Sequence, residues 1–151
     1  MRRAFTLLEL ILVLVILGVL SAAAWYSYRP HYLAQDVNFV QMQLLRAKYQ
    51  GIQYDKRHAT SDTNRSIGCV DLQEGSWKDL AKKLHYALHS TITSSYTTLC
   101  FDSFGRPHLD DNLTTNAPIA SPTRLLRLSY RSKEANLTIL PQSGYVIIDL
   151  K

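Results

Sequence analysis

The chain has 151 residues, 46% of them hydrophobic and 19% charged, which excludes both a large multidomain enzyme and a chain disordered throughout. Its formal charge is +5, but Arg2 and Arg3 precede the apolar run, and from Ala4 onward 15 basic residues face 12 acidic ones, too small a surplus to demand a polyanionic partner. The mean hydropathy of −0.10 averages an almost wholly apolar start with a polar remainder, a pattern that excludes a polytopic transporter.

That start reads Met-Arg-Arg-Ala-Phe-Thr-Leu-Leu-Glu and runs apolar from Phe5 to Ala24, 20 residues, the length a helix needs to cross a bilayer. Arg2 and Arg3 favour a cytoplasmic N-terminus, with the rest of the chain outside. A secretory signal peptide, cut within Leu20–Ala24, is the alternative; the apolar run begins too close to the N-terminus for one and contains Glu9. A carboxylate at membrane depth costs roughly 2.5–3.5 kcal/mol. Between Phe5 and Tyr28 there is no Lys, Arg or His, so a counter-charge has to come from another chain or from a newly made amino terminus. A hydrated or protonated carboxyl near the membrane surface is the other reading.

Downstream, Leu33, Val37, Val40, Leu44 and Ala47 recur at helical steps. The periodicity predicts one long helix from Phe5 to about Tyr54, with a kink at Tyr26–Pro30 imposed by Pro30. Lys56–Gly75 reads as a loop holding a short apolar piece at Cys69-Val70. A second helix is predicted over Trp77–Leu88, capped by Ser76. Strands are predicted over Thr97–Asp102, Leu125–Arg131, Leu137–Leu140 and Tyr145–Leu150, the last two joined as a hairpin through Pro141–Gly144. A turn is expected at Phe104-Gly-Arg-Pro107.

Signatures of hydrolases, zinc proteases and P-loops are absent. His85 and His89, four apart on the predicted second helix, have a spacing that binds metal, but no carboxylate motif accompanies them. Asp102, Asp110, Asp111 and Asn112 gather oxygens around a turn without a calcium-loop spacing; a solvated acidic turn is the simpler reading. No metal or cofactor is therefore expected. Arg127, Arg131 and Lys133 share one face of a predicted strand, either a solvated face or a basic strip for an acidic partner or DNA. Cys69 and Cys100 both lie in the part of the chain that would be exported, where a disulfide forms; two buried free thiols are the alternative.

Arg3-Ala-Phe-Thr-Leu-Leu-Glu9, followed by Leu10–Leu20, resembles the N-terminal signal of type IV pilins and type II secretion pseudopilins. The resemblance implies cleavage between Ala4 and Phe5 by prepilin peptidase, N-methylation of Phe5, and Glu9 as the assembly carboxylate. Ala4 stands where the family usually has Gly. Leu99–Pro107 and Ser143-Gly-Tyr-Val146 are similar to the H-type minor pseudopilins, a looser match that implies a minor subunit. The implied fold is α+β, a long N-terminal helix packed on a small antiparallel sheet head. Residues 1–4 would be the leader, 5–28 the transmembrane and assembly helix, and 29–151 the periplasmic head. The implied partners are other pilins, prepilin peptidase, an inner-membrane assembly platform and the membrane itself. The function expected is a non-enzymatic filament subunit; a DNA-contacting minor pilin of an uptake system is the alternative.

Overall fold

In the computed structural model, which describes residues 7–27, 31–56, 65–111 and 113–151, the chain divides into two units, Met1–His31 and Tyr32–Lys151. The first contributes a single helix, α1 (Leu7–Ser27). Its Leu, Ile and Val side chains are exposed on every side of the helix. Ser21, the one hydroxyl among the fully described side chains of α1, donates to the Leu17 carbonyl at 2.7 Å and so leaves no polar hydrogen facing outward. Among the described residues, no helix is long and apolar enough to cross a membrane. Phe5 and Thr6, which open the 20-residue run, and the side chains of residues 24–27 lie outside them. Pro30, the expected cause of a kink, also lies outside the described residues.

The second unit begins with α2 (Tyr32–Ile52). Every residue of the expected stripe, Leu33, Val37, Val40, Leu44 and Ala47, is buried. That stripe packs on two antiparallel sheets. The smaller has the order β1-β3-β4, from β1 (Cys69–Asp71), β3 (Thr98–Phe101) and β4 (Pro107–Leu109). The larger has the order β2-β5-β6-β7, from β2 (Thr91–Thr93), β5 (Thr123–Tyr130), β6 (Lys133–Ile139) and β7 (Val146–Leu150). The helix α3 (Glu74–Lys83) adds Trp77 and Ala81 to the core. The architecture is α+β, with a long N-terminal helix and antiparallel sheets.

Two local expectations are corrected. The second helix runs over Glu74–Lys83 rather than Trp77–Leu88, and its cap is Gln73, not Ser76. Asp71 braces the start of the helix: its carboxylate accepts the Gln73 amide at 2.9 Å and the Ser76 hydroxyl at 2.7 Å. The helix stops early because the following backbone is captured by α2: Asp36 accepts the amides of His89 and Ser90 at 3.0 and 2.7 Å and the Tyr86 hydroxyl at 2.8 Å. The expected turn at Phe104–Pro107 closes into a hairpin whose second arm, β4, starts at Pro107. Proline is tolerated there because β4 is an edge strand and needs no further amide. The β6–β7 hairpin forms through Pro141–Gly144, with Leu140 and Tyr145 closing it.

Cys69 and Cys100 lie directly opposite each other on β1 and β3, Cα atoms 4.0 Å apart, and are joined by a disulfide. The bond closes a loop with a sequence separation of 31, which sets its stabilisation at about 2–4 kcal/mol. Reduction is expected to lower the melting temperature of the head by roughly 8–15 °C, read by circular dichroism with and without a phosphine reductant. An unchanged melting curve would show that the bond contributes nothing to the folded state.

Candidate functional site

The chemistry expected at the N-terminus centres on Ala4, Phe5 and Glu9. Ala4 and Phe5 lie outside the described residues. Glu9 sits in the first turn of α1, where an N-terminal carboxylate complements the helix dipole, and its side chain faces outward among Leu7, Leu8 and Leu10. Among the described residues, most of the exposed large hydrophobic side chains are on α1: Leu8 is 76% exposed, Leu14 60% and Val19 64%. A helix apolar on all sides has to be covered, by lipid or by other helices.

On the head, Arg127, Arg131 and Lys133 do not share one strand face. β5 ends at Tyr130, and Arg131 occupies the turn to β6 with φ +55°, its guanidinium over the Tyr130 ring. Lys133 opens β6. Arg127 does point outward, but its Nε lies 3.6 Å from Glu134, and its strand neighbour Asn136 is paired in turn with Asp149. The hairpin thus interleaves acidic residues with the basic ones, and the expected basic strip is not assembled.

His85 and His89 likewise do not share a helix face. Both lie beyond the end of α3, His85 with φ +53°, and the His89 ring stacks on Tyr32 at 4.1 Å. No cluster of three or more metal-ligating side chains occurs among the described residues. Asn112 lies outside them. The carboxylates of the acidic turn are each engaged by the chain itself. Asp102 accepts the amides of Phe104 and Arg106, the Arg106 guanidinium at 2.7 Å and the His108 ring at 3.4 Å. Asp110 accepts from Thr97 and Thr98, and Asp111 from Leu113, Thr115 and Asn116.

Burial alone would raise the Asp102 carboxyl, but the Arg106, His108 and Phe104 hydrogen bonds outweigh it and hold the group below its ordinary value of 3.8. The Thr97 hydroxyl does the same for Asp110 against a smaller burial effect. Both groups bind protons more weakly in the folded than in the unfolded chain. Their contribution is whole above about pH 4 and is lost as the pH falls through their folded values. The melting temperature of the head is expected to drop below about pH 4, and Asp102→Asn should flatten that drop; an unaltered acid profile in the variant would exclude Asp102 as a source.

Two groups carried no signal in the sequence. His108 is buried, its Nδ1 2.7 Å from the Asn116 carbonyl. Lys56 is 3% exposed, and its Nζ lies 2.8 Å from Cys69 Sγ. Each depends on a contact that lies outside any one helix or strand, at a separation of 8 residues for His108–Asn116 and 13 for Lys56–Cys69, which periodicity does not report.

Residues 1–25 match the family model described as the prokaryotic N-terminal methylation motif. The match covers Arg2, Arg3, Phe5, Glu9 and most of α1. It supports a type IV pilin-like or pseudopilin subunit, a structural role rather than a catalytic one, and processing by a prepilin peptidase before assembly with other pilins. No curated protein and no solved structure matches the chain.

Proposed function

We propose that this chain is a minor subunit of a pilus-like filament, a type II secretion pseudopilus or a type IV pilus. It is made in the bacterial inner membrane as a single-pass protein with its head in the periplasm. Prepilin peptidase cuts between Ala4 and Phe5, Phe5 is N-methylated, and an inner-membrane assembly platform moves the subunit from bilayer to filament.

The observation that carries this reading is the continuity of the methylation motif with α1, whose aliphatic surface is exposed all round. Moving such a helix from lipid into a bundle of like helices exchanges one apolar environment for another, so hydrophobicity alone gives little direction. Direction comes from the polar groups. A Glu9 carboxylate meeting the Phe5 amine of a neighbouring subunit gains a charge-assisted pair where charges are costly, and it sets the axial register.

The test is the intact mass and N-terminal peptide of the protein taken from its native membrane. A chain beginning at N-methylated Phe5 is expected. A chain cut near Ala24, or an uncut one, would refute the filament reading. Glu9→Ala is expected to leave membrane insertion unchanged and to lower incorporation into filaments by about tenfold or more, equivalent to ~1.4 kcal/mol per subunit. Wild-type incorporation of the variant, scored by immunoblot of sheared filaments, would remove the pairing.

A further inference from the structure

The two sulfurs of the disulfide have unequal surroundings. Cys100 is fully buried on β3, the central strand of its sheet, whereas Cys69 is half-buried on the edge strand β1. Beside Cys69 stands Lys56, whose long side chain is almost wholly enclosed and whose ammonium points at Sγ from 2.8 Å. A disulfide sulfur is an uncharged, weak acceptor, a poor partner for a buried cation; a thiolate in the same place is a strong one. Burial lowers the Lys56 amine to about 8, with the Asp111 carboxylate opposing the shift, so the group is still largely charged at neutral pH. The Arg65 carbonyl, 3.6 Å from Cys69 Sγ, would accept an S–H and favours the neutral thiol, but it carries no full charge and lies farther away.

We propose that Lys56 holds Cys69 as a thiolate in the reduced, folded head, making Cys69 the attacking sulfur through which the Cys69–Cys100 bond forms. The Cys69 thiolate attacks one sulfur of an external disulfide, that of a thiol–disulfide oxidase or of a small oxidised thiol. A mixed disulfide forms at Cys69, and the other external sulfur leaves as a thiolate. Cys100 then gives its proton to water and attacks Cys69 Sγ, breaking the mixed bond and releasing the second external thiolate. Two protein thiols are oxidised and one external disulfide is reduced to two thiols. Lys56 is a positioning residue for this chemistry, acting through the charge of Cys69. The inference is independent of the filament reading.

The experiment uses the full chain in detergent micelles at about 10 °C, reduced with a phosphine and pulsed with iodoacetamide over a pH series. Alkylation at each cysteine is read by peptide mass spectrometry and folding by circular dichroism. Cys69 is expected to react at least tenfold faster than Cys100, with a midpoint below the ordinary thiol value of about 8.5. Lys56→Met should raise that midpoint and slow Cys69 about tenfold at pH 7, whereas Lys56→Arg should retain the fast reaction. Cys100→Ser, which frees Cys69 without any reductant, should show the same low midpoint. Equal rates at the two cysteines, an ordinary midpoint in Cys100→Ser, or a Lys56→Met chain as reactive as the parent would each overturn the proposal. A reduced chain that has lost its fold gives the first of these results and counts against it in the same way.

Discussion

Replacing Gly68 with Ala is expected to cost the head about 3–5 kcal/mol, a fall of roughly 12–20 °C in melting temperature. Gly68 precedes β1 with φ +72°, a conformation that adds strain for any residue with a Cβ. Space is tighter still. A Cβ there would stand 2.5 Å from the Gly51 Cα and 2.7 Å from its nitrogen, so it meets backbone rather than a side chain that can move. Gly51, in the last turn of α2, is itself wedged: a Cβ on it would reach the Phe101 carbonyl oxygen at 2.6 Å. The two glycines let the end of α2 lie against the start of β1 and the end of β3, where the Gly68 carbonyl accepts the Phe101 amide at 3.0 Å. Gly51→Ala should therefore be damaging as well. If Gly68→Ala melts within about 3 °C of the parent, this close approach does not hold the sheet to the helix.

Asp36→Ala is expected to cost about 4–5 kcal/mol. The side chain is fully buried on α2 and accepts three hydrogen bonds from the segment after α3: the Tyr86 hydroxyl and the amides of His89 and Ser90. Alanine leaves three donors without their acceptor, each costing about 1–3 kcal/mol less whatever water can restore. Tyr86 reports the same contact. Burial first, and then the hydrogen bond to Asp36 and its charge, push the phenol well above its ordinary value of 10.0. Loss of Asp36 should return Tyr86 towards ordinary titration, visible as phenolate absorbance at lower pH. A variant with parental stability and an unaltered Tyr86 titration would show that the clamp is dispensable.

Much of the head was legible because its signals are local. The α2 stripe follows from helical spacing, and each of its five apolar positions is buried. The strands β3, β5, β6 and β7 follow from runs of β-branched and apolar residues between turn residues, with ends displaced by at most four positions. Segments with weak local preference were missed. β1 and β2 are three residues each, too short for alternation to register, and they exist because β3 and β5 offer them ladder partners. The second helix was overextended because Leu84 and Leu88 keep the helical spacing, while the hydrogen bonds from Asp36 that end it come from about fifty residues away. The basic strip failed for a related reason. Alternation along one strand places Arg127, Arg131 and Lys133 together only if the strand continues, and the turn at Arg131 folds Glu134 back against Arg127.

What the sequence by itself determined is the prokaryotic N-terminal methylation motif over residues 1–25, a linear string that carries its meaning without a fold. Tertiary structure alone decided which head residues meet. It set Lys56 against Cys69, Gly68 against Gly51, and Asp36 against the segment that ends α3. Such pairings arise from packing α2 on two sheets at once, and burial and polar satisfaction are properties of the assembled core rather than of any window of the chain.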